Sequence, residues 1–259
     1  MTTPLRRPLI AGNWKMNLDL AQSLELARAV RDGSGGTAAE VALCVPFTAL
    51  AVVAEALKGS SVRLGAQDLF WEAQGAYTGE ISAAQLVDAG ARMTIIGHSE
   101  RRRLFGDTDE AVHKKLKAAL AAGLAPILCV GETLDERETQ RTFRVLETQL
   151  KAAFAGFSPD QLGGLVVAYE PVWAIGTGKT ATPDQAQDAH LFIRKTCARL
   201  CGGAFSSGLR ILYGGSVKAE NVDALMAQPD LDGALVGGES LKAASFLRII
   251  RFQLPAAAN

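Results

Sequence analysis

The sequence predicts an α/β fold, a closed (β/α)8 barrel of eight parallel strands with surrounding helices. Three observations carry this prediction. Eight short apolar runs recur along the chain, stretches of helical period separate them, and 259 residues is close to the size at which such barrels form one domain.

The apolar runs occupy residues 8–11, 41–45, 62–66, 93–96, 126–130, 165–169, 209–213 and 234–236. Most lack polar alternation, as strands buried on both faces do, although short buried helices share that pattern. Between the runs, Thr182 precedes Pro183 with Gln185 at the third helical position, which signals a helix start. Its apolar residues Ala186, Ala189, Ile193, Cys197 and Leu200 keep to one face, as do Val112, Leu116 and Leu120 in an earlier segment. Ser240 is expected to cap a last helix carrying Ala243, Phe246, Leu247 and Ile250. Alternating strands and helices call for a parallel sheet with helical crossovers. An open doubly wound sheet shares that alternation, but eight units in this length favour closure. With no Ser/Pro-rich linker or composition shift to divide the chain, residues 1–259 are expected to form a single barrel domain.

Hydrophobic residues make up 48% of the chain and charged residues 21%, an ordinary globular balance. Lys+Arg and Asp+Glu both number 27, so no net field attracts a polyanion, and neither nucleic acid nor an anionic membrane is the expected partner. Cys44, Cys129, Cys197 and Cys201 are too few and too irregular for a disulfide scaffold, which fits a reducing cytoplasm. The first residues lack the apolar stretch of a signal peptide, and residues 118–131 fall short of a membrane span. A soluble protein is expected.

In such barrels the reacting groups lie where strands end and loops begin. Asn13 and Lys15 follow the first run, His98 the fourth and Glu170 the sixth, so closing the barrel brings them to one mouth. A carboxylate at the end of an apolar strand is costly to bury without a partner or a task, so Glu170 either faces solvent or acts as a base. The uncharged stretch from Pro171 to Gly178 tips the balance, because it suits a lid that closes over a ligand and excludes water. His98 ends a strand, where it either caps the next helix or polarises a ligand, whereas His113 and His190 read as surface or packing residues. Three scattered histidines form no metal motif. Gly214-Gly215-Ser216 and Gly237-Gly238 follow the seventh and eighth runs, where barrels often bind phosphate; either pair alone could mark only a tight turn. Lys15 supplies a positive charge. A base, an electrophile, a cation, a phosphate cradle and a lid together suit proton abstraction beside a carbonyl in a small phosphorylated compound.

The motifs Ala11-Gly12-Asn13-Trp14-Lys15-Met16-Asn17, Gly97-His98-Ser99-Glu100-Arg101-Arg102, Tyr169-Glu170-Pro171-Val172-Trp173-Ala174-Ile175-Gly176-Thr177-Gly178, Tyr213-Gly214-Gly215-Ser216 and Gly233-Ala234-Leu235-Val236-Gly237-Gly238 occur in the order found in the triosephosphate isomerase family, which the chain resembles over essentially its whole length. The resemblance implies a TIM barrel, no cofactor, and interconversion of dihydroxyacetone phosphate with D-glyceraldehyde 3-phosphate through an enediolate, a step of glycolysis and gluconeogenesis. It implies Glu170 as base and neutral His98 as electrophile, roles long described for this enzyme class. Asn13 and Lys15 would stabilise negative charge on oxygen, Glu100 would support them, and Gly176, Ser216, Gly237 and Gly238 would hold the phosphate. Residues 67–81 resemble the loop this family inserts into its neighbour, implying a homodimer with Thr78 near the partner's site.

Two positions depart from the family pattern. Ala219 stands where proline is frequent, and Glu239 stands where a small residue usually follows the glycine pair. Pointing inward, that carboxylate would repel a phosphate. The other functions weighed are a different phosphate-binding barrel enzyme, such as an aldolase, and a catalytically inactive barrel. The joint presence of Asn13, Lys15, His98 and Glu170 speaks against the inactive form.

Overall fold

In the computed structural model, which describes residues 6–174 and 180–254, the eight apolar runs are eight parallel strands. They are β1 (Leu9–Asn13), β2 (Glu40–Cys44), β3 (Arg63–Ala66), β4 (Met93–Ile96), β5 (Ala125–Val130), β6 (Val166–Tyr169), β7 (Arg210–Tyr213) and β8 (Gly233–Val236). Their order in the sheet is their order in the chain, and β1 pairs with both β2 and β8, so the sheet closes. At the closing seam Leu9 lies opposite Gly233, whose φ is +142°. A side chain at Gly233 would place its Cβ 1.9 Å from the Leu9 carbonyl oxygen, so only glycine fits.

Helices connect and surround the strands. The first six are α1 (Leu20–Gly33), α2 (Leu50–Ala56), α3 (Ala83–Asp88), α4 (Ser99–Leu104), α5 (Asp109–Ala121) and α6 (Leu134–Glu138). They are followed by α7 (Thr142–Phe154), α8 (Pro183–Cys201), α9 (Gly203–Gly208), α10 (Val222–Met226) and α11 (Ala243–Ile250). The Thr182 signal is realised in full, because the Thr182 side chain accepts from Gln185 N while the Gln185 side chain accepts from Thr182 N.

The strands lack polar alternation because both of their faces are buried. Leu9, Ala11, Met93, Ile95, Ile127, Val166 and Leu212 fill the barrel interior, while Ile10, Leu43, Ile96, Leu128, Val167 and Ile211 pack outward. Against the helices, Ala186, Ala189, Ile193 and Cys197 of α8 complete the outer layer.

Two helix expectations need correcting. Leu200 is exposed, because it lies in the last turn of α8, past the end of the buried stripe. Ser240 does not cap α11. The chain first makes a 3-10 turn at Gly238–Leu241, where the Ser240 hydroxyl donates to Gly237 O at 2.7 Å, and Lys242 takes the cap position.

At the N-terminal ends of the strands, Glu40 accepts from Arg63 at 2.8 Å and from Arg210 at 2.9 Å. This ties β2 to β3 beside it and to β7 across the base of the barrel. Burial works against ionisation of the Glu40 carboxyl, but the two guanidinium groups outweigh it and hold its pKa below the ordinary carboxylate value.

Candidate active site

The C-terminal ends of the strands frame a cavity of about 250 Å³. Asn13, Lys15, His98 and Glu170 line one part, and Ser216, Gly237 and Gly238 line another. Closure of the barrel thus brings together residues that lie up to 225 positions apart in sequence.

Glu170 follows β6 and is almost fully buried. Its backbone N–H donates to Val130 O at 2.8 Å. Beneath it, Gly131 passes so close that a Cβ there would lie 1.8 Å from Glu170 O, so the floor of the site requires glycine. The carboxylate has three polar neighbours. Ser99 N donates to Oε2 at 2.9 Å, Ser99 Oγ donates to Oε1 at 3.3 Å, and His98 Nε2 lies 3.0 Å from Oε1.

His98 ends the β4 loop and caps α4. Its Nδ1 accepts from Glu100 N at 3.2 Å. That bond requires a lone pair on Nδ1, so the ring is neutral with its proton on Nε2, the nitrogen that faces Glu170. The capping reading of His98 therefore holds, and the same bond fixes which nitrogen meets the cavity.

Lys15 occupies the left-handed backbone region with φ +53°. Neighbours over-determine this conformation. Asn13 Oδ1 accepts from Lys15 N at 3.0 Å, and Gln67 Nε2 donates to both Lys15 O at 2.9 Å and Cys44 O at 3.0 Å. At the other end of the side chain, Lys15 Nζ meets Glu100 Oε1 at 2.5 Å. Burial disfavours the Glu100 anion, yet the Lys15 bond keeps its pKa below the ordinary range. Glu100 therefore holds the lysine ammonium beside the cavity.

Of the four residues expected to hold a phosphate, Ser216, Gly237 and Gly238 reach the cavity, while Gly176 lies outside the described residues. The uncharged stretch read as a lid begins with a 3-10 turn at Val172–Ala174; the part of it beyond Ala174 also lies outside them. Its root is anchored. Glu132, fully buried, accepts from Trp173 Nε1 at 2.9 Å and from Tyr169 OH at 3.1 Å, and Arg137 stacks on the Trp173 ring at 4.4 Å. Thr78 is exposed and does not line the cavity of its own chain.

Ser99 and Glu132 are the site residues that sequence reasoning assigns no role, and Gln67, read only as the start of the inserted loop, holds the Lys15 carbonyl. Ser99 stands within the Gly97–Arg102 motif, so only its adjacency to His98 pointed to it. Cys129, beside Glu170, is buried, and burial together with that carboxylate raises its pKa well above the usual thiol value. It stays a packing thiol. Among the described residues, no group of three or more His, Cys, Asp or Glu side chains could hold a metal ion.

Residues 8–253 match the family model described as triosephosphate isomerase. This chain belongs to the triosephosphate isomerase family. It is 56% identical over 252 residues to a triosephosphate isomerase of Geotalea uraniireducens (strain Rf4), with 96% of this chain and 99% of that relative covered. It is also 54% identical over 250 residues to the triosephosphate isomerase of Chloroflexus aurantiacus (strain ATCC 29366 / DSM 635 / J-10-fl), covering 96% of this chain and all of the relative. The crystal structure of triosephosphate isomerase from Bartonella henselae superposes with a TM-score of 0.85 at 41% identity, over 94% of this chain and 97% of that one. Members of the triosephosphate isomerase family therefore match this chain along the same span that builds both barrel and cavity.

Proposed function

We propose that this chain interconverts dihydroxyacetone phosphate and D-glyceraldehyde 3-phosphate, the reaction named in its relatives, by proton transfer through an enediolate. One observation carries the assignment of roles. The Glu170 carboxylate and the His98 Nε2–H converge at 3.0 Å on one side of a cavity whose other side presents Ser216, Gly237 and Gly238.

With the phosphate held by Ser216, Gly237, Gly238 and Gly176, the carbon skeleton of a triose extends toward Glu170. Glu170 turns from Ser99 to the substrate and removes a proton from one carbon. The electron pair moves into the carbonyl, and His98 Nε2–H hydrogen-bonds the oxygen on which charge grows. Lys15 and Asn13 stabilise that oxyanion. The proton of the neighbouring hydroxyl passes to that oxygen by way of His98 Nε2, and Glu170, whose proton can exchange with solvent in the intermediate, returns a proton to the neighbouring carbon, so atoms and charge balance without an added cofactor. Glu100 acts through Lys15, as a positioning residue.

The same reading makes residues 1–259 one barrel domain and the working unit a homodimer. Met16, Phe47, Tyr77, Leu104 and Phe105 support a dimer, because these exposed apolar side chains all come from segments that follow β1 to β4. Exposed apolar side chains of this kind are what a partner surface covers. Thr78, between Tyr77 and Gly79, would then reach the partner's cavity. Glycolysis and gluconeogenesis in the cytoplasm are the setting. No helix among the described residues is long and apolar enough to cross a membrane.

Turnover of D-glyceraldehyde 3-phosphate by purified protein in heavy water tests the proposal. Product carrying deuterium on carbon is expected. Isomerisation at a near-normal rate by Glu170→Gln would rule out proton shuttling by Glu170, and absence of turnover would reject the activity.

A further inference from the structure

Glu239 puts a second carboxylate, besides Glu170, at the cavity, on the side proposed to hold an anion. It follows the glycine pair directly and lines the same cavity as Ser216, Lys218, Gly237 and Gly238. Its side chain is turned along the chain toward α11, where Ser245 Oγ donates to Oε2 at 2.5 Å and Lys242 Nζ meets Oε1 at 3.2 Å. Those bonds, with Lys218 nearby, hold its pKa below the ordinary range, so it is an anion at neutral pH. A fixed negative charge here opposes an incoming anion in proportion to the charge that anion brings, and the tether sets how far away it stays.

We infer that Glu239 is a specificity-determining residue that limits the cavity to a single phosphoryl group by repelling more highly charged anions, with Ser245 and Lys242 holding it at working distance. This rests on the phosphate site proposed above and deepens it. A single phosphate dianion, with Lys218 lining the same cavity, tolerates the neighbouring carboxylate. An anion with a second phosphoryl group carries its extra charge toward the same rim and does not.

Glu239→Gln tests this, because the amide keeps an oxygen to accept from Ser245 and removes only the charge. Calorimetric titration with inorganic phosphate and with pyrophosphate reads the site without requiring turnover. Phosphate is expected to bind about two- to fivefold tighter to the variant at low salt, and pyrophosphate to gain more than phosphate does. Ser245→Ala frees the carboxylate to move inward and is expected to weaken both anions, with the double variant matching Glu239→Gln. In turnover, Glu239→Gln is expected to lower KM more than it changes kcat, a split that a purely structural staple would not produce.

Equal affinities in wild type and Glu239→Gln, or equal gains for the two anions, would overturn the inference, as would failure of the wild type to bind either anion. Glu239→Ala gives the same charge comparison if the glutamine variant does not fold. Normal triose phosphate turnover with unchanged anion binding in the variants would sink this inference alone. Absent turnover with the expected binding pattern would sink the proposed activity and leave the inference standing.

Discussion

Ser99 holds the Glu170 carboxylate twice, through its backbone N–H to Oε2 at 2.9 Å and through its hydroxyl to Oε1 at 3.3 Å. Both bonds must be released when the carboxylate turns to a substrate, so they belong to the resting site. Ser99→Ala removes only the hydroxyl bond and should change kcat/KM by less than about tenfold, whereas Glu170→Gln removes a general base typically worth ~10²–10⁴-fold. Steady-state kinetics on the two variants decide the matter. An equal loss in both would mean that the serine takes part in chemistry.

The His98 ring should carry its proton on Nε2 alone, since Nδ1 accepts from Glu100 N at 3.2 Å. Nitrogen-15 chemical shifts of the ring at neutral pH report this tautomer directly. A protonated Nδ1 would contradict the hydrogen-bond assignment, and with it the electrophile role.

His190 gives the fold a dependence on acid. The ring is fully buried in α8 beside Tyr169 and Tyr213, and its Nδ1 lies 3.2 Å from Asp230 O. Burial pushes its pKa down from 6.5 to about 3. Above about pH 6.5 neither the folded nor the unfolded chain is protonated there, and the contribution is fully present. As pH falls from 6.5 toward 3, only the unfolded chain takes up the proton, so stability declines. Thermal unfolding of His190→Gln should lose less midpoint temperature than wild type between pH 7 and pH 4.5. Parallel curves would show that His190 is not the group involved.

Phe105, 66% exposed, together with Met16, 96% exposed, should be covered in solution. Phe105→Glu places a charge in that contact and should shift the chain toward monomer, with lower turnover at low protein concentration. Light scattering measures the mass, and a wild type that is monomeric at micromolar concentration would reject the dimer.

Glu40→Gln should destabilise the protein by about 1–3 kcal/mol at pH 7, because two guanidinium groups lose their charged acceptor. The Glu40 pKa is lowered in the fold, so its contribution is present above the unfolded value and is lost as pH falls through the folded one. Denaturant unfolding at pH 7 and at acid pH should show the gap between variant and wild type narrowing in acid. A constant gap would assign the loss to packing.

The strands are legible in the sequence because burial on both faces writes itself as an unbroken apolar run, as in Ile127-Leu128-Cys129-Val130. Asn13, Lys15, His98 and Glu170 are legible because polar groups at the ends of such runs stand out. Ser99 is not, since its contact with Glu170 spans 71 residues and depends on barrel closure. Lys115 is a sharper case. It lies beside Lys114 in α5 and draws no reading of its own, yet it is buried against Asp68 at 2.8 Å and Asp107 at 2.6 Å. Only the folded chain reveals which of three neighbouring basic groups turns inward. Ser240 misleads for a local reason, because a hydroxyl that signals a cap can equally close the turn before it.

The Glu40 brace stands at the opposite end of the strands from Glu170. The two groups share no hydrogen-bond partner, so substitutions at the one are expected to add to those at the other without coupling. A lineage moving to hotter or colder surroundings could retune the brace alone and keep its chemistry intact.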